Sequence, residues 1–252
     1  MQIGIFAKTF AGHDPLTVME ASARAGFDGV AYNMACSGLD AMPDAIAPEV
    51  LTAIARARSA TGQQVQSLSG TYNMIHPDPE VRARGQRRLE ILAGTCAGLG
   101  TRLITLCTGT RDAADQWRHH PDNGGPDAWR DLLASFEVAV QIAERHDIVL
   151  GVEPELANVV DGTDAALRLI GDMQSDRIRI VLDPANLFER ATPLVQGQII
   201  DHAVDVLADR IVMAHAKDRD AAGGFATAGT GVIDFGHFLG RLRRAGFDGG
   251  WL

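Results

Sequence analysis

Residues 148–155 read IVLGVEPE, residues 178–186 read IRIVLDPAN, and residues 210–218 read RIVMAHAKD. Each segment opens on a nearly unbroken apolar run that gives way to a polar group: Glu153, Asp183 or His215. Such runs fit strands covered on both faces, the kind that parallel sheets contain. The pattern extends outward in both directions. Strands are predicted at 2–6 (QIGIF), 28–32 (DGVAY), 64–68 (QVQSL), 102–107 (RLITLC) and 249–252 (GGWL). Helical periodicities fill 15–25, 47–60, 79–99, 127–145, 163–173, 193–208 and 235–245. The first starts after Asp14 and stops before Gly26, a cap-and-stop arrangement. Strict alternation of the two element types implies a parallel sheet with right-handed crossovers.

An open doubly wound sheet and a closed barrel both satisfy that alternation. No Gly-x-Gly-x-x-Gly follows the first strand, where a dinucleotide-binding sheet sets its phosphate turn. Eight strands at roughly thirty residues per unit is the count of a (β/α)8 TIM barrel. The sequence therefore predicts an α/β TIM barrel occupying residues 1–252 as a single domain. Its eighth strand is reached only at Trp251–Leu252, so the barrel is expected to be truncated within that strand and to lack its eighth helix.

Composition narrows the function classes. Hydrophobic residues make up 46% and charged residues 22%, the balance of a soluble globular protein. The formal net charge is −9, which argues against a nucleic-acid partner, since phosphate neutralisation needs a basic face. The group Arg82, Arg84, Arg87 and Arg88 lies in a helical pattern and reads as a solvated face. No apolar run approaches the roughly 18 residues of a membrane span. The N-terminal MQIGIFAKTF lacks the features of a signal peptide, and Cys36, Cys96 and Cys107 are too few and scattered for a disulfide framework. A reducing cytoplasm is the expected compartment.

In barrels of this kind reactive groups sit at the carboxyl ends of the strands. Three consecutive strands deliver Glu153, Asp183 and His215 to one rim. A carboxylate placed after an apolar run is costly to bury unless it is paired or binds a cation. Each residue alone reads equally well as a helix cap or ion-pair partner; together they read as a divalent metal site. The oxygen-rich set favours Mn²⁺, Mg²⁺ or Co²⁺ and admits Zn²⁺, and none of the three cysteines is expected to accompany it.

The runs GVEPE (151–155), LDPANLF (182–188), AHAKD (214–218) and GTGVIDF (229–235) resemble the xylose isomerase-like barrel superfamily of sugar phosphate isomerases and epimerases. SLSGTYNMIHPD (67–78) and the stretch from 106 to 123 extend the similarity to essentially the whole chain. The resemblance implies a divalent-metal-dependent isomerase or epimerase of a small sugar, ketose or sugar phosphate. Its metal would be held by Glu153, Asp183, His215 and a second Glu expected past Leu252. Glu153 would act as catalytic base beside a metal-polarised carbonyl, giving an enediolate. Lacking the second Glu, these 252 residues are expected to bind metal weakly and epimerise poorly.

Around that centre, Asn73 and His76 are substrate-binding candidates, with a turn-stabilising role open for His76. Arg111 suits a phosphate or carboxylate, or an ordinary ion pair. Glu155, Asn186, Lys217, Asp218 and Arg219 are expected to orient substrate hydroxyls. Asn186 stands where ketose epimerases often carry a histidine, which leaves the substrate open. An inosose isomerase or dehydratase, and a barrel that only binds ligand, remain alternatives. Endonuclease IV-type DNA repair is disfavoured by Gly109 and Asn186, where that family places ligand histidines. The long Trp117–Asn123 loop suits a substrate lid or the contact of a homo-oligomer; Trp117 would stack on a sugar or plug a gap.

Overall fold

The computed structural model describes residues 2–252. In chain order the strands are β1 (Gln2–Phe6), β2 (Gly29–Tyr32), β3 (Gln64–Ser69), β4 (Leu103–Leu106), β5 (Val149–Val152), β6 (Ile178–Leu182) and β7 (Ile211–Ala214). Two short strands, β8 (Asp218–Arg219) and β9 (Phe225–Ala226), form an antiparallel hairpin, and β10 (Gly250–Trp251) follows. The seven long strands and β10 pair in parallel and close on themselves, with β10 between β7 and β1. The chain is thus a closed TIM barrel.

The helices are α1 (Pro15–Arg24), α2 (Pro48–Thr61), α3 (Pro79–Ala93), α4 (Cys96–Leu99), α5 (Pro126–Arg145), α6 (Thr163–Met173), α7 (Pro193–Leu207) and α8 (Phe235–Arg244). Their starts follow from local chemistry. Proline opens α1, α2, α3, α5 and α7, where its missing N–H costs nothing. Asp14, Asp78, Thr192 and Asp234 accept a first-turn backbone N–H as caps. The single helix predicted over 79–99 is in fact two. It breaks after Ala93, where Gly94 caps α3 and the Thr95 hydroxyl donates to the Leu92 carbonyl, so α4 restarts at Cys96. None of the helices of the described residues is long and apolar enough to cross a membrane.

Strand alternation decides what enters the lumen. Ile104, Leu106, Leu150, Val152, Ile180, Leu182 and Ala214 join the main core under the helices. Leu103, Val181 and Met213, on the opposite parity, form a small separate cluster inside the barrel. Continuing that inner parity by two residues at a time brings Cys107, Asp183 and His215 to the lumen's carboxyl end. The barrel closes through its shortest member, since β10 contributes only Gly250 and Trp251 to the ladders. Side-chain packing compensates: the Trp251 and Phe238 rings lie 5.4 Å apart, an arrangement worth about 0.5–1.5 kcal/mol beyond area burial.

Candidate active site at the carboxyl rim

Glu153 and His215 each extend their strand by one rung. The Glu153 N–H donates to the Leu106 carbonyl at 2.9 Å, and the His215 N–H to the Leu182 carbonyl at 2.9 Å. Their side chains are therefore aimed by the sheet itself. Asp183 is set differently: it caps a short 3₁₀ turn, Pro184–Asn186, accepting the Ala185 N–H at Oδ1. Capping occupies one oxygen only. Oδ2 turns into the cluster and is buried with no hydrogen-bond partner among the described residues.

The cluster centres on Glu153 Oε1. It accepts from Asn186 Nδ2 at 2.9 Å and Lys217 Nζ at 2.8 Å, and His215 Nδ1 lies 3.1 Å away. Lys217 Nζ also stands 3.2 Å from Glu155 Oε1 and 3.1 Å from Asp183 Oδ2, the latter without the alignment of a hydrogen bond. Three carboxylates thus surround one ammonium. Burial works against charge on His215, yet Glu153 and then Asp183 outweigh it and raise its pKa. Three carboxylates still face at most two cations, an imbalance that is costly in a buried site unless further positive charge arrives.

The electrostatics reflect that crowding. Burial raises the Glu153 pKa, but His215 and Lys217 outweigh it and hold this carboxyl well below the usual carboxylate range. Burial and the Glu153 charge push Glu155 up. Asp183 is raised too, by burial first, with Lys217 opposing and Glu153 reinforcing. Burial works against charge on Lys217, yet Glu153, Asp183 and Glu155 more than offset it, so its pKa is raised and the ammonium persists.

Glu153, Asp183 and His215 each offer a ligand atom, and these atoms lie within 4.8 Å of one another. Such a set can hold a metal ion, and the unpartnered Asp183 Oδ2 fits that reading. The Cys107 sulfur makes a second such group, with Glu153 and Glu155 and apart from Asp183 and His215. Burial and those carboxylates raise the Cys107 pKa well above its ordinary value, so the thiol keeps its proton.

A family model described as xylose isomerase-like TIM barrel matches residues 19–252. The chain belongs to that family. No curated protein sequence matches it significantly. Among solved structures, the apo 3-keto-D-glucoside 4-epimerase of E. coli superposes with a TM-score of 0.78 at 18% identity, covering 100% of this chain and 91% of that one. A D-tagatose 3-epimerase-like protein gives 0.77 at 15%, covering 100% and 89%. The D-allulose 3-epimerase from Methylomonas sp., in complex with D-allulose, gives 0.76 at 15%, covering 100% and 82%. At these identities the likeness is one of fold.

In this xylose isomerase-like barrel, a cavity of about 500 Å³ opens over the cluster, walled by Glu153, Glu155, His215 and Lys217 on one side. Lys8, Asn33, Ser69, Thr71 and Thr105 face it from β1–β4. Sequence reading passed over these, although Asn33 ends an apolar run and was detectable by the criterion that found Glu153. Ile5, Phe6, Ala31 and Ala216 supply apolar wall.

Other predicted residues have different tasks. Asn73 is saturated: its amide donates to the Thr110 carbonyl at 2.8 Å and the Asp112 carbonyl at 3.4 Å, while Oδ1 accepts from Ile75 and Thr110 N–H groups. Gly109, at φ +81°, lies so close that a Cβ would stand 2.2 Å from Asn73 Oδ1. His76 spends both ring nitrogens, one on the Ala113 carbonyl and one on the Asp78 N–H. This is the turn-stabilising role. Arg111 pairs with Asp131 at 2.8 Å and donates to the Ile75 carbonyl, the ordinary ion pair rather than an anion receptor. Asp218 accepts four backbone N–H groups, from Arg219, Gly229, Gly231 and Ile233, which uses the whole capacity of a carboxylate. A Cβ on Gly231 would sit 2.4 Å from Asp218 Oδ1, so only glycine permits that approach. Arg219 is tied to the Ala185 and Gly223 carbonyls but still faces an adjoining cavity with Glu155 and Lys217.

Proposed function

We propose that this chain is a divalent-metal-dependent sugar isomerase or epimerase, moving a proton at the carbon beside a carbonyl of a small polyhydroxylated substrate. The observation that carries the reading is the convergence of Glu153, Asp183 and His215, with Asp183 Oδ2 buried, 3.1 Å from the Lys217 ammonium and without a hydrogen bond among the described residues. Two carboxylates and an imidazole suit Mn²⁺, Mg²⁺ or Co²⁺, with Zn²⁺ also compatible. Those three residues would hold the ion. When bound, it supplies positive charge to a substrate carbonyl and so acidifies the neighbouring C–H.

Glu153 takes that proton. The Lys217 ammonium beside it favours its ionised form, the state a base requires. Asn186, His215 and Lys217 all engage Oε1, which fixes the carboxylate plane and leaves Oε2 for the reacting carbon. Glu155 and Lys217 orient substrate hydroxyls from the same wall, and the apolar faces of Ile5, Phe6 and Ala216 limit water beside the reacting carbon. Proteins of the same fold that epimerise keto sugars support the substrate class.

The test is solvent exchange. Metal-stripped protein is reloaded with Mn²⁺ in D₂O and offered ketoses, their phosphates and inososes. The reading predicts deuterium at the carbon next to the carbonyl of at least one substrate, dependent on metal and lost in Glu153→Gln. Exchange at the parent rate in Glu153→Gln, or none with any substrate, would overturn it.

A further inference from the structure

The space over the cluster continues outward. Trp117, Glu155 and Lys217 line both the central cavity and a second one of about 610 Å³. A hexose has twelve non-hydrogen atoms and fills at most about 360 Å³ even if each atom claims the ~30 Å³ share of a water molecule. The central cavity already accommodates one ring, and the second alone exceeds that bound. A single free monosaccharide leaves roughly two-thirds of the combined space unused.

The walls of the second cavity say what it suits. Trp117 is 51% exposed and Phe225 is 64% exposed, and both rings line it. Ligand pockets are lined largely by apolar and aromatic side chains, and two exposed aromatic residues in one concavity fit that pattern. Phe225 is presented by the β8–β9 hairpin opposite Arg219, whose guanidinium lies 4.6 Å from the ring centre. Arg219 is itself anchored to the Ala185 and Gly223 carbonyls, so the ring is mounted on a fixed support. Charges in the cavity balance: Glu155 and Glu189 face Lys217 and Arg219. That balance disfavours a phosphate and suits a neutral ring with an apolar C–H face and hydroxyls at its edge.

Resting on the sugar reading above, we infer that the second cavity is a subsite for a second sugar ring, so that the substrate is a glycoside or disaccharide. The reacting ring lies over Glu153, and the appended ring packs against Trp117 and Phe225.

Binding of lactulose and maltulose, which carry a sugar ring on O4 of fructose, is compared with binding of D-fructose, D-allulose, D-tagatose and D-sorbose by calorimetry on the Mn²⁺-loaded protein. At least one disaccharide is expected to bind about tenfold tighter than every free ketose, the scale of one aromatic contact. Phe225→Ala should erase that advantage and leave ketose binding unchanged, and Phe225→Tyr should restore it. Disaccharides that bind no tighter than ketoses, with ketose binding intact, overturn the subsite alone. A Phe225→Ala change that weakens both classes equally, or neither, does the same. If no sugar of either class binds, the sugar reading fails and the subsite with it.

Discussion

Beyond β5, β6 and β7, polar side chains point at one another and into a cavity: Glu153, Asp183, His215 and Lys217 meet over the lumen. Beyond β3 and β4, residues of similar polarity are consumed by backbone: Asn73, His76 and Thr110 bind loop amides and carbonyls. The first group retains an oxygen without a hydrogen bond among the described residues, on Asp183, and more carboxylates than cations. The Asn73 amide retains nothing. Among the described residues the Tyr72 hydroxyl beyond β3 is also buried without a hydrogen bond, but no charged group faces it. Unspent hydrogen-bonding capacity within a cluster of ionised groups, rather than polarity or position at a strand end, separates a candidate reactive group from a loop tie.

Substitutions on the two sides should therefore fail in different ways. Glu153→Gln is expected to cut the rate of deuterium exchange by about 10²–10⁴-fold, the range for loss of a general base, with an unaltered far-ultraviolet circular dichroism spectrum. Asn73→Ala should do the reverse. It leaves several buried loop groups unpaired and should cost about 2–4 kcal/mol in urea denaturation, while Mn²⁺ affinity changes little. If Asn73→Ala were as stable as the parent chain, the clamp assigned to this side would be wrong.

Lys217→Met sharpens the comparison from within the reactive side. The ammonium stands among the same oxygens that a cation would use. Its removal should tighten Mn²⁺ binding about tenfold or more and lower the melting temperature of the metal-free protein. Weaker Mn²⁺ binding in this variant would show that Lys217 supports the ion site rather than competing with it.

The smallest effect lies away from the rim. Arg145 holds the Glu90 carboxyl below its usual range, with burial opposing and His146 assisting. A depressed folded pKa stabilises above the unfolded value of 4.5 and loses that benefit as pH falls through the folded one. Because the side chain is 38% exposed, Glu90→Gln should cost at most about 1 kcal/mol at pH 7, and the gap should close below pH 4.5 in thermal melts.

What could be read from the residues alone follows the range of the interactions involved. Apolar runs and the polar groups that end them are local, so the eight strands and the placement of Glu153, Asp183 and His215 at one rim were visible in the sequence. The tie from Asn73 to Thr110 spans 37 positions, and the one from Lys217 to Glu153 spans 64. Such contacts leave no periodic trace, which is why Asp218 resembled a substrate ligand. The break at Gly94 had a local signal in Gly94 and Thr95, outweighed by a helical period running through both.

The central claim is that Glu153, Asp183 and His215 form a divalent cation site. Mn²⁺ titration followed by electron paramagnetic resonance tests it most directly, because bound ion loses the signal of the free one. The account predicts one Mn²⁺ bound per chain, removed by Asp183→Asn with the fold retained. Wild-type protein that takes up no Mn²⁺ at millimolar concentration, or an Asp183→Asn chain that binds it as the wild type does, would contradict the account.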